Sequence, residues 1–141
     1  MFGEDRLMPK PDPVASEDLG RILILDDEEM LLEVLQESLE RLGFQVLSAL
    51  SARQALERME TYEGEIRAAV LDLNVPGEGG GRTLVLELRR RFPRIYAVAT
   101  SGNDSEPAMR DPAAYGFDAS LEKPFRLEDL RRILQTLLPT T

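Results

Sequence analysis

Five short apolar runs, each giving way at once to polar residues and then to an amphipathic stretch, constrain this chain more than any other feature. The run at 21–25 reads Arg-Ile-Leu-Ile-Leu and stops at Asp26-Asp27-Glu28-Glu29. Similar runs lie at 44–49, 68–71, 95–100 and, more weakly, 117–122. Segments this short and this apolar are strands of a sheet buried on both faces. Between them the apolar residues recur at helical spacing. The first predicted helix covers 29–42, with Leu31, Leu35, Leu39 and Leu42 as its buried stripe and Gly43 as its stop. Ser51 and Gln54 open the second as a capping box, and Ala52, Ala55, Leu56 and Met59 supply its apolar face. Leu84, Val85 and Leu88 mark the third, which Pro93 closes, with Arg89, Arg90 and Arg91 as solvated surface matched to the helix dipole. The fourth, within 105–115, should be the least regular, because Pro112 falls inside it. Leu127, Leu130, Ile133, Leu134 and Leu137 make the last.

Alternation of this kind implies right-handed crossovers and an α/β fold: a five-stranded parallel sheet flanked by five helices, doubly wound. Residues 1–20 carry Pro9, Pro11 and Pro13 without apolar period, so they read as a flexible leader or linker before one domain at 21–141.

Composition narrows the chemistry. Against 26 Asp and Glu stand 17 Lys and Arg, a net charge of -9, and such a surface repels nucleic-acid backbones and anionic lipid. With no cysteine and no histidine, the chain has no disulfide, no thiolate nucleophile, no His-based acid-base catalysis and no ordinary zinc site. Any chemistry runs on carboxylates, hydroxyls, lysine or a hard metal. No apolar stretch is long enough to span a bilayer and no signal peptide opens the chain, so a cytoplasmic protein without membrane contact is expected.

In a parallel sheet the carboxyl ends of the strands share one edge, where ligands bind. Asp26 and Asp27 follow the first strand, Asp72 the third, Ser101 the fourth and Lys123 the fifth. Each has a plain alternative: Asp72 as an Asx-turn acid, Asp26 or Asp27 as a helix cap, Lys123 as a surface lysine. Three carboxylates brought close repel, so one takes up a proton or all bind a cation, and a hard divalent ion such as Mg²⁺ suits oxygen ligands. A hydroxyl and an ammonium opposite them are the groups that receive a phosphoryl group.

Taken in this order, Leu25-Asp26-Asp27-Glu28, Asp72 with Pro76 and Gly80 behind it, Ser101-Gly102 and Lys123-Pro124-Phe125 closely resemble the receiver domain of two-component response regulators. The resemblance covers about 21–138 and implies a flavodoxin-like fold. It makes Asp72 the acceptor of a phosphoryl group from a phosphohistidine. Asp27 would bind Mg²⁺ directly and Asp26 through water, with Asp72 and the Asn74 backbone carbonyl completing the protein ligands. Lys123 would offset charge on the transferring group, and Ser101 would move to hydrogen-bond it, drawing its loop and the fourth helix along. Such a domain is a regulatory phosphoacceptor that promotes its own phosphorylation and dephosphorylation, not a turnover enzyme.

Departures from the family pattern matter too. Where receivers usually carry an aromatic residue, three positions before the lysine, this chain has Ser120. Asn74 and Asn103 stand where the family controls the approach of water to the acyl phosphate. The triple glycine Gly79-Gly80-Gly81 is expected to loosen the loop beside the acceptor. The resemblance also implies a histidine kinase or histidine phosphotransfer domain as partner, docked near the first helix, where Met30 and Leu32 lie off the Leu31-Leu35-Leu39 stripe. The segment 101–117 resembles receivers fused behind hybrid sensor kinases, which implies the receiver end of a larger kinase or a stand-alone receiver with no output domain. Two rivals remain: a Mg²⁺-dependent phosphohydrolase, which would carry a second acid where Asn74 stands, and a receiver-like interaction module that is not phosphorylated.

Overall fold

The computed structural model describes residues 18–77 and 80–138; residues 1–17 of the leader read at 1–20, Glu78, Gly79 and the last three residues lie outside them, and Gly20, the last residue of that leader, opens the first strand. The elements run β1 (Gly20–Leu25), α1 (Glu29–Leu42), β2 (Phe44–Ala49), α2 (Ala52–Thr61), β3 (Ile66–Asp72), α3 (Gly80–Arg91), β4 (Tyr96–Ser101), α4 (Pro107–Arg110), a 3₁₀ turn (Pro112–Tyr115), β5 (Ala119–Glu122) and α5 (Leu127–Leu137). All strand pairs are parallel, and the sheet order is β2-β1-β3-β4-β5.

Alternation along each strand sorts the core into two layers. Ile22, Ile24, Ala68, Val70 and Val98 point to one face, where Leu32, Leu35 and Leu39 of α1 meet Leu130 and Leu134 of α5. Leu23, Leu25, Ala69, Leu71, Ala97 and Ala99 point to the other, under Ala55 and Met59 of α2, Leu84, Val85 and Leu88 of α3, and Ala108 and Met109 of α4. The sheet is thus covered on both sides, as its unbroken apolar strands require.

Local signals act as their chemistry dictates. Gly43 ends α1 at a φ of 109° and donates its N–H to Glu40 and Leu39 carbonyls. The Ser51 side chain accepts from the Gln54 amide at 3.2 Å, while the Gln54 side chain accepts from Leu50 rather than from Ser51. Pro112 lacks the N–H needed to continue α4, so the fourth helix is a single turn, broken at Asp111 and resumed as 3₁₀.

Three expectations need correction. Leu32 is not off the core stripe: it is 5% exposed and packs with Leu35 and Leu39, whereas Leu31 is only partly buried. Steps of four residues drift about 40° around a helix at 100° per residue, so 31-35-39 spreads over about 80° while 32-35-39 stays within about 60°. Met30, at 81% exposed, does lie off the core. Of the triple glycine expected to loosen the loop beside the acceptor, second, Gly79 lies outside the described residues and the other two belong to α3 rather than to the loop. Gly80 and Gly81 are buried in its first turn, and a Cβ on Gly81 would lie 2.9 Å from the Asp72 carbonyl oxygen and 3.0 Å from Leu71 Cβ. Their missing side chains let the helix sit directly on the end of β3. Arg89, read as solvated surface, instead donates to the Gly116 and Ile95 carbonyls at 2.7 and 2.9 Å and pairs with Asp118 at 2.6 Å.

Candidate functional site

Strand register assembles the site. Leu25 pairs with Leu71 and Asp72 with Thr100, while Ser101 pairs with Glu122, so the residues that end β1, β3, β4 and β5 arrive at one edge together. Carboxylate oxygens of Asp26, Asp27 and Asp72 lie within 4.8 Å of one another. Asp26 and Asp72 are 3% and 4% exposed, and Asp27 faces solvent.

Lys123 reaches into this cluster. Its Nζ lies 2.7 Å from Asp26 Oδ2, 3.1 Å from Asp72 Oδ2 and 3.7 Å from Glu28 Oε1. Of the 17 cationic residues only Lys10 and Lys123 are lysines, so Lys123 is the sole ammonium among the described residues. A compact point charge can serve several oxygens at once, which a planar guanidinium does less readily.

One Asp72 oxygen accepts from the Asn74 amide at 2.9 Å, and Asp26 accepts from the Glu28 amide at the same distance. The Asx-turn alternative for Asp72 is therefore also true: the turn aims the carboxylate, and the other oxygen meets Lys123. Asp27 caps no helix, because the N-cap of α1 is Glu28, without a side-chain bond. Ser101, fully buried, is reached through Asn74, whose side-chain amide donates to Ser101 Oγ at 2.8 Å. Asn103 turns its side-chain oxygen to Ser105, away from the acids.

The electrostatics show a site short of positive charge. Burial pushes the Asp26 carboxyl above the usual carboxylate range and the Asp72 charge adds to the rise, despite the hydrogen bonds from Lys123 and Glu28 and the Lys123 charge. Burial opposes the Lys123 ammonium, yet the hydrogen bonds and charges of Asp26 and then Asp72 outweigh it and hold the group above its ordinary value. Both shifts have one sense: Asp26 and Lys123 each hold a proton more tightly than usual, Asp26 chiefly because it is buried and Lys123 because Asp26 and Asp72 face it. That donor set, oxygen only and in excess of its cation, fits a hard divalent ion.

Residues 22–135 match the family described as response regulator receiver domain. This chain belongs to that family. The receiver is 33% identical over 120 residues to sensor kinase CckA of Brucella abortus, a match that covers 83% of the chain and 12% of the kinase. It is equally identical, over 121 residues, to the two-component response regulator PhoP of Pseudomonas aeruginosa, covering 84% of the chain and 51% of that regulator. The chain therefore spans about half, or far less, of the length of these relatives. A receiver domain protein of CheY-like type from Methanospirillum hungatei superposes with a TM-score of 0.77 at 26% identity, over 86% of this chain and 94% of that one. A receiver from Clostridium thermocellum has a TM-score of 0.78 at 23% identity, over 84% and 94%, and shares the fold. Receivers are regulatory phosphoacceptors of two-component systems, paired with histidine kinases or phosphotransfer partners.

Sequence reasoning missed Arg82. Its guanidinium pairs with Glu106 at 2.8 Å and approaches Asn74 Oδ1 at 3.4 Å, joining the acceptor loop to the start of α4. The partners stand 8 and 24 residues away along the chain, and no local pattern connects them.

Proposed function

We propose that Asp72 accepts a phosphoryl group from the phosphohistidine of a histidine kinase or phosphotransfer domain. An Asp72 carboxylate oxygen attacks phosphorus, the O–P bond forms, and the N–P electron pair returns to the imidazole as it leaves. The observation that carries this reading is the setting of Asp72. It lies at the end of the central strand, aimed by the Asn74 amide and gripped by Lys123, beside two further acids. Phosphoryl transfer needs positioning and charge compensation more than covalent help, and those are what the site supplies.

Asp26, Asp27, Asp72 and the Asn74 backbone carbonyl would hold Mg²⁺, which when bound supplies positive charge to the transferring group. Lys123 supplies more of it and orients the acceptor oxygen. Ser101 donates its hydroxyl to a phosphoryl oxygen, and that movement is the switch. For partner docking we keep Met30 on α1, where Val34, 59% exposed, continues the apolar surface one turn on. Leu32 belongs to the core instead. A partner bearing kinase phosphohistidine supports a cytoplasmic location for this receiver. No helix of the described residues is long and apolar enough to cross a membrane.

The test is incubation of the full chain with Mg²⁺ and acetyl phosphate, read by intact mass, with Asp72→Asn as control. A single phosphoryl addition lost in Asp72→Asn is expected. Continuous turnover of donor without a lasting adduct would identify a phosphohydrolase, and no addition at all would identify an interaction module outside phosphorylation.

A further inference from the structure

The link between acceptor loop and α4 runs through a side chain from α3. Ser101 Oγ accepts two hydrogen bonds, from Asn74 Nδ2 at 2.8 Å and from the Asn103 amide at 3.0 Å. Both lone pairs are engaged and its own proton remains to donate. Asn74 is in turn held from behind, because Arg82 Nη2 faces its Oδ1 at 3.4 Å, which leaves the amide nitrogen pointing to Ser101. The same guanidinium binds Glu106 through Nη2 at 2.8 Å and Nε at 3.0 Å, and the Glu106 side chain is only 15% exposed.

Glu106 is the residue on which α4 starts: its carbonyl accepts from the Met109 and Arg110 amides. The far end of that one-turn helix is fixed separately, by Ser120 Oγ donating to the Met109 carbonyl at 2.9 Å. A helix too short to hold itself is therefore pinned at both ends by side chains of other elements.

We propose that Arg82 is a positioning residue for phosphoryl transfer: holding Asn74 and Glu106 at once, it keeps Ser101 withdrawn and α4 seated until Asp72 is phosphorylated. The proposal rests on the reading of Asp72 as phosphoacceptor and Ser101 as the group that moves. Ser101 approaches the phosphoryl group by leaving Asn74, and Arg82 opposes this by fixing the Asn74 amide. When Asn74 is drawn out of register, Arg82 loses its second acceptor and the tie to Glu106 alone no longer couples α4 to the loop. Phosphorylation selects chains already in the competent arrangement, so weakening the tie raises their fraction.

The experiment uses the full chain with Mg²⁺ and acetyl phosphate, measuring the rate of mass gain and, separately, hydrogen exchange at the Met109, Arg110 and Asp111 amides. Arg82→Ala and Glu106→Ala are each expected to speed phosphorylation about threefold, the scale of a half-exposed ion pair. Both should also raise α4 exchange in the unphosphorylated chain toward the level of the phosphorylated wild type. The charge exchange Arg82→Glu with Glu106→Arg should recover wild-type α4 protection, and Arg82→Gln stands in if the alanine variant folds poorly. A helix-stabilising role alone would lower thermal stability without changing the phosphorylation rate. Wild-type phosphorylation with unchanged rate or unchanged α4 exchange in the single variants overturns the Arg82 tie and leaves Asp72 as acceptor. A wild type that never gains mass overturns the acceptor reading and the tie together.

Discussion

Lys123→Met keeps the aliphatic stem and removes only the ammonium, so it isolates what that charge does. Asp26 and Asp72 are 3% and 4% exposed and would stand beside Asp27 without their one cation. Removing one partner of a fully buried pair costs about 3–5 kcal/mol. Here the Lys123 side chain is 19% exposed and Asp27 opens the cluster to water, so solvent recovers part of that loss and about 2 kcal/mol is expected near neutral pH. Protonation of Asp26 limits the cost further. Its folded pKa is raised above the ordinary carboxylate value, chiefly by burial, and without Lys123 it rises more. A carboxyl with a raised folded pKa contributes stability that is fully present below its unfolded pKa and is lost as pH rises through the folded one. The destabilisation by Lys123→Met therefore grows as pH rises and is smaller near about pH 5 than near about pH 8. Urea unfolding of both proteins in EDTA at the two pH values measures it. Added Mg²⁺ should restore the variant, since a ligand at about a hundred times its Kd adds about 2.7 kcal/mol. A loss of equal size at both pH values, or one that shrinks as pH rises, refutes the picture of an acid cluster short of charge.

Three further outcomes are expected. Gly81→Ala gains about 1 kcal/mol of helix preference but drives a Cβ into the Asp72 carbonyl at a cost of about 1–3 kcal/mol, so a net loss of about 1 kcal/mol and a Tm fall of about 4 °C follow. A higher Tm by calorimetry would show that the close approach is not needed. Leu32→Ala should cost about 2–3 kcal/mol in chemical unfolding and Met30→Ala less than about 0.5 kcal/mol, and the reverse order would put Met30 in the core. Ser120→Ala removes the bond to the Met109 carbonyl, worth about 1 kcal/mol, and should raise amide exchange in α4 while leaving α1 unchanged. Uniform exchange in the two would dissociate Ser120 from α4.

Much of this arrangement was legible because it is local. The apolar runs and their polar ends place Asp26, Asp27, Asp72, Ser101 and Lys123 on one edge once the strands are taken as parallel, and Gly43, Ser51 and Pro112 act within a turn of themselves. What escaped depends on neighbours distant in the chain. Leu31 and Leu32 are chemically identical, and only the exact phase of α1 against the sheet decides between them. Gly80 and Gly81 look like slack until the end of β3 lies against them. Arg89 in a run of three arginines resembles solvated surface until Ile95, just before β4, and Gly116, just after the 3₁₀ turn, present their carbonyls to it, and Arg82 gains meaning only when the loops after β3 and β4 meet.

With guanidinium groups everywhere else among the described residues, the ε-amine of Lys123 is a chemical address as well as a charge. Isotope-labelled methyl groups placed on lysine nitrogens would yield two resonances for the whole chain, one of them seated against Asp26 and Asp72. Acylation of that nitrogen would silence the acidic cluster, whereas the arginines among the described residues would ignore the reagent.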